Sequence, residues 1–173
     1  MTGVAPDYAE PVVGWRLWNT SDSGGTPCLT SVYFPVVWPV HEPLEAVCVR
    51  PQVRFPFRRS KGRPHASPAE RCQCGIYALA GERFGETLQE FVHRASYLVL
   101  GTVSLWGTVH EHEHGWRAAR GYPERLIVWQ RVEHCPEADR VARGIEQYGV
   151  PVEKVVSIDV PDAVSASRPP IPF

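Results

Sequence analysis

No stretch of about 18 apolar residues occurs in this chain, so no membrane-spanning helix is expected. The opening residues, MTGVAPDYAEPVVGW, lack a basic segment followed by an apolar one, so no secretory signal is expected. The net charge is −1 over 173 residues, which excludes a general polycation. A Gly-x-Ser-x-Gly elbow, a P-loop and a Gly-x-Gly-x-x-Gly turn are all missing. These absences weigh against the enzymes that depend on such motifs. They do not exclude a site assembled only by the fold. There is no internal repeat. An even cysteine set is missing too, since there are five, which fits a disulfide framework poorly. Together these features place the protein in the cytoplasm, where thiols stay reduced.

What is present describes a globular chain with 43% hydrophobic and 21% charged residues. Six Trp and 17 Pro suggest many short segments, turns and rigid aromatic packing. Residues 1–11 read as a flexible arm, 12–160 as a single globular domain and 161–173 as a disordered tail. Alternating bulky residues predict strands at 12–19 and 29–34, with a loop at 20–27. Residues 44–49 read as a short strand or one helical turn, and 75–80 as a strand or the start of a helix. The strongest strand pattern is 97–110, where Gly101 and Gly107 suggest bends. A polar hairpin loop follows at 110–115, then a strand at 116–120, a turn at Gly121-Tyr122-Pro123 and a strand at 125–132. A last short strand is read at 150–160. Helical spacing of Phe84, Leu88, Phe91 and Val92 predicts a helix at 82–95. A second helix is predicted at 136–148, with Pro136 at its first turn and Gly149 as its stop. The fold class is therefore α+β: a β-rich, partly closed barrel of about six or seven strands with two short helices.

Three sets of residues could carry chemistry. The first is Cys48, His65, Cys72 and Cys74, a thiolate and imidazole set that suits zinc. In an extended chain, the Cys72-x-Cys74 spacing aims both sulfurs at one point. Such a site would fasten the intervening loop at both ends. The same residues could equally be ordinary buried thiols. Cys28 and Cys135 read as ordinary thiols.

The second set is the basic loop at 50–64. It holds Arg50, Arg54, Arg58, Arg59, Lys61 and Arg63, with Phe55 and Phe57 and no acidic residue. It could contact phosphates and stack bases, or be a solvated insertion. The third set, Trp106, Trp116, Arg117 and Tyr122, could line a cleft for a base or a cation, or plug the barrel. The run His110-Glu111-His112-Glu113-His114 lacks the His-Glu-x-x-His spacing of a helical metal site. On a strand its histidines would share one face, while at a hairpin tip they would be solvated; Glu113 could pair with Arg117.

The blocks CQCGIYA (72–78), GTVSLWGTV (101–109), GWRAARGYP (115–123) and YGVPV (148–152) together resemble a set of uncharacterised actinobacterial proteins. The resemblance spans roughly residues 12–155 as an ordered series of short blocks. It implies a shared architecture and no particular chemistry. The basic stretch 50–63 is longer here than in that set. A weaker likeness is to PUA/ASCH-like barrels, in which a Gly-x-Val-x-Leu strand recurs. Those often bind RNA or modified nucleotides, which is a fold-level expectation only.

The sequence reading is thus a non-enzymatic, zinc-stabilised binding module. It would bind nucleic acid or a nucleotide through Arg54, Arg58, Arg59 and Lys61 together with a cleft of Trp106, Trp116, Arg117 and Tyr122. One alternative is a metal-dependent hydrolase using residues 110–114, with Glu111 or Glu113 as base. Another is a protein-interaction or regulatory subunit with exposed Trp and Phe anchors.

Overall fold

The structure, a computed structural model, describes residues 10–48 and 65–157. The expected basic loop lies outside the described residues, as do nearly all of the expected N-terminal arm and the whole of the expected tail.

The barrel is built on one long hairpin. Strands β5 (Tyr97–His112) and β6 (Gly115–Gln130) pair antiparallel from Tyr97↔Gln130 to His112↔Gly115. Strand β1 (Val12–Ser23) runs along the other edge of β5, from Val12↔Leu105 to Trp18↔Val99. Strand β4 (Ile76–Leu79) lies on the free edge of β6 and touches β1 at Trp15↔Leu79, which brings the sheet round on itself. Strand β2 (Thr26–Ser31) extends β1, while β3 (Leu44–Glu45) and the parallel β7 (Val152–Val156) extend β6. This is a seven-stranded, partly closed barrel with two helices. The seam between β1 and β4 is supported by Arg16, whose guanidinium donates to Tyr77 O and to Ser31 Oγ and lies 5.1 Å from the centre of the Trp38 ring. Burial lowers its pKa to about 10.

Strand alternation sends side chains of β5 and β6 to two separate cores. Val99, Val103, Leu105 and Val109 meet Ala118, Leu126 and Val128 inside the barrel. Helix α2 (Pro136–Ile145) covers that core with Ala138, Val141, Ala142 and Ile145. On the opposite face, Leu100, Ile127, Trp129 and Trp15 lie under Phe84, Leu88 and Val92 of helix α1 (Gly81–Val92). Trp15 and Phe84 stack with ring centres 5.3 Å apart. The predicted second helix is α2 followed by a 3-10 turn through Tyr148, and Gly149 ends it with φ of 69°.

Two sequence expectations are corrected. The expected loop at 20–27 is mostly strand, because only Gly24 and Gly25, with φ of 60° and 88°, form the turn. Polar Thr20 and Ser21 simply continue β1 opposite Leu29 and Cys28. The expected turn at Gly121-Tyr122-Pro123 does not exist, since β6 runs straight through it. Gly121 is small for a packing reason: a Cβ there would sit 3.0 Å from Leu105 Cδ2. Pro123 is accommodated beside a register shift between Thr102 and Val103, where the ladder is locally disrupted. A second shift, between Trp106 and Val109, contains Gly107 with φ of 76°.

Candidate metal centre

The cysteine segment is positioned by the barrel. Just past β3, Ala46 N–H donates to Ala119 O at 2.8 Å, which brings Cys48 beside β6. On the other side, Cys72 N–H donates to Ala69 O at 3.0 Å and closes a turn. Gly75 then leads Cys74 into β4 with φ of 133°, where a Cβ would come 3.1 Å from Arg117 Cβ and 3.3 Å from Pro68 Cβ.

These turns bring Cys48, His65, Cys72 and Cys74 together, with all their donor atoms within 4.8 Å of one another. Cys48 Sγ lies 3.7 Å from Cys72 Sγ, and Cys74 Sγ lies 3.4 Å from His65 Nε2. A zinc tetrahedron with bonds of about 2.3 Å to sulfur and about 2.05 Å to nitrogen has S···S edges of about 3.8 Å and S···N edges of about 3.5 Å. Two of the six donor pairs therefore stand at the edge lengths of such a tetrahedron, and all six lie within 4.8 Å. A disulfide needs about 2.05 Å between sulfurs, and all five cysteines are free. The four residues could hold a metal ion, as their types and spacing predict.

The thiols are electrostatically unequal. The Cys74 backbone N–H bonds the Cys72 sulfur and brings that thiol down to about 6, against the opposing effect of burial. Cys48 is pushed up to about 11, first by burial and then by its neighbouring cysteines. At Cys74 burial opposes ionisation, but hydrogen bonds from Ser67 and His65 outweigh it and the thiol is lowered.

Sequence reasoning missed the part played by Arg117 at this centre. It lies opposite Tyr77 in the β4–β6 ladder and is only 4% exposed. Its Nη1 donates to Cys72 O and, at 3.1 Å, to Cys74 O. Its Nε donates to His112 Nε2 at 2.7 Å, in place of the expected pairing with Glu113. A guanidinium N–H can only donate, so His112 is neutral at Nε2 and carries its proton on Nδ1. Partial desolvation and the Arg117 charge both lower the His112 pKa, in agreement with that state. No motif signals this, because the β4–β6 pairing that joins Arg117 to the cysteine turn spans distant parts of the chain.

The remaining candidates are dispersed. Arg117 and Cys72, with Glu70, Arg71, Gln73, Tyr77 and His112, line a surface cavity of about 370 Å³. Trp106 and Tyr122 line a different depression of about 360 Å³ beside His41 and Tyr148. There the Tyr122 hydroxyl donates to Tyr148 O at 2.8 Å and accepts from His41 N–H at 3.0 Å. Trp116 packs against the barrel core, close over Gly14. Adjacent residues on a strand face opposite sides, which is why Trp116 and Arg117 part company. Arg54, Arg58, Arg59 and Lys61 lie outside the described residues.

His110, Glu111 and His112 end β5, and Glu113 and His114 form a two-residue exposed turn. Among the described residues this run forms no metal-ligand cluster. The hydrolase alternative required its histidines to converge, and that convergence is not found. Cys28 is buried, with its sulfur 3.7 Å from Thr26 O, and Cys135 immediately precedes α2; neither belongs to the cluster. Among the described residues no helix is long and apolar enough to cross a membrane.

Comparison of the chain with protein-family models, with curated proteins and with solved structures gave no match.

Proposed function

We propose that Cys48, His65, Cys72 and Cys74 hold one zinc ion as a structural site, and that the barrel so fastened is a non-enzymatic binding module for a nucleic acid or nucleotide. The observation that carries the metal reading is the convergence of four donors within 4.8 Å of one another, with the Cys48–Cys72 and Cys74–His65 pairs at tetrahedral edge lengths. Structural zinc sites use four protein ligands, whereas catalytic ones keep a position open. Three thiolates in one site also suit a reducing, cytoplasmic compartment.

The binding reading draws on the order of residues along the chain. Cys48 and His65 bracket the stretch that carries Arg50, Arg54, Arg58, Arg59, Lys61 and Arg63 without an acidic residue. A metal held by both would tie the two ends of that basic stretch to the β4–β6 side of the barrel. Backbone phosphates are its natural partner by charge, and Phe55 and Phe57 could stack on bases.

Elemental analysis of untagged protein purified under reducing conditions should find about one zinc per chain. Metal-free protein would end the zinc reading. A mobility-shift panel of RNA and DNA at low salt tests the second part. Binding should fall as salt rises and weaken when Arg58, Arg59 and Lys61 are changed to Ala. A panel with no shift at low salt would remove the nucleic-acid reading and leave the metal reading untouched.

A second reading, a protein-interaction subunit, draws on Tyr33 and Phe34, which are 82% and 66% exposed. The tryptophans lend it less, since Trp15, Trp18, Trp38 and Trp129 are buried. A partner recovered from the native host that is lost on Tyr33→Ser/Phe34→Ser would favour this reading.

A further inference from the structure

Arg117 presents a physical problem that the metal reading resolves. It is a buried guanidinium, yet among the described residues it makes no ion pair with a carboxylate. Its hydrogen-bond partners are two backbone carbonyls and a neutral imidazole, and the Tyr77 hydroxyl lies beside it; none of these carries a full negative charge. A cation withdrawn from water without a counter-charge is strongly disfavoured. Glu70 and Arg71, which line the same surface cavity, are exposed and opposite in sign.

The carbonyls that Arg117 holds belong to Cys72 and Cys74, two of the four candidate ligands. Three thiolates, one neutral imidazole and a divalent ion sum to one unit of negative charge. A univalent ion would leave two units and a trivalent ion none. A single guanidinium matches the divalent case.

We infer that Arg117 is the counter-charge and positioning residue of the metal centre, setting it for a divalent ion held by three thiolates and one imidazole. This inference rests on the metal reading above. Through Nη1 the side chain fixes the backbone that aims both sulfurs, and through its charge it offsets the excess on the thiolates. His112 orients it by accepting from Nε, so the chain of support runs from the β5–β6 hairpin to Arg117 to the cysteine turn.

The test compares Arg117→Gln with Arg117→Lys. Both can still donate to a carbonyl, and only lysine keeps the charge. Zinc affinity is measured by competition with a chromogenic chelator, after circular dichroism has shown which variants are folded. Arg117→Gln should bind zinc at least about tenfold more weakly than the wild type, with Arg117→Lys closer to the wild type. Equal affinity of the two variants would overturn the counter-charge role, as would a Gln variant that binds like the wild type. Should Arg117→Gln not fold, Arg117→Lys is compared instead with a Cys48→Ser single mutant. Weaker zinc binding by Arg117→Lys than by that ligand mutant would also overturn the inference. Wild-type protein that takes up no zinc would overturn the metal reading itself, so the two failures are distinguishable.

Discussion

Arg117 and His112 show how one hydrogen bond determines a protonation state. The Arg117 Nε–H needs an acceptor, and partial desolvation and the guanidinium charge both disfavour a proton on His112 Nε2. The folded pKa of His112 therefore lies below the ordinary histidine value of about 6.5. Above that value both folded and unfolded forms are neutral, and the group has no effect on stability. As pH falls through about 6.5 the unfolded chain takes up the proton first, so this histidine lowers stability in acid until the folded form also protonates. A residue-resolved NMR titration should place the His112 midpoint below about 6.5. A midpoint at or above about 6.5 would mean that the Arg117–His112 bond does not form as described.

At the level of elements, close backbone approach matters more than propensity. Gly144 sits within α2, where alanine ordinarily gains about 1 kcal/mol. A Cβ there would lie 2.5 Å from Pro27 Cδ and 2.7 Å from Pro27 Cγ on β2. The ring cannot swing aside, so Gly144→Ala should destabilise the protein by about 1–2 kcal/mol in urea unfolding despite its better propensity. A stabilised variant would show that α2 can move off β2 freely. The same principle explains β6. Gly121 looks like a turn residue beside Tyr122-Pro123, yet Leu105 occupies the space a side chain would need, and the strand continues. The helix stripes, by contrast, were legible in the sequence. Phe84, Leu88 and Val92, and Val141 with Ile145, recur at helical spacing because each helix buries one face.

For the whole molecule, the proposed zinc ion is a cross-link between parts of the chain that are not neighbours in the sheet. Cys48 follows β3, and Cys72 and Cys74 precede β4. An ion bound only by the folded state at about a thousand times its dissociation constant adds about 4 kcal/mol. For a chain of this size that corresponds to a melting shift on the order of 10 °C. Thermal unfolding with and without a strong chelator should show that shift, and Cys28→Ser should leave it unchanged. Coincident melting curves would mean that the cluster holds no stabilising metal.

The candidate ligand set was readable from residue types and spacing, because Cys-x-Cys and a nearby His report their donor chemistry directly. So were both helices and most strands, since period and apolar pattern are local properties of the chain. The support of the centre was not readable. Arg117 reaches the cysteine turn because β4 pairs with β6, and Trp116 and Arg117 separate because a strand turns alternate side chains to opposite faces. Those outcomes depend on strand register and on how the sheet curls round on itself, which are set by contacts between residues distant in sequence. The amino-acid sequence alone determined which donors are present; the tertiary structure decided that they converge and which buried charge stands behind them.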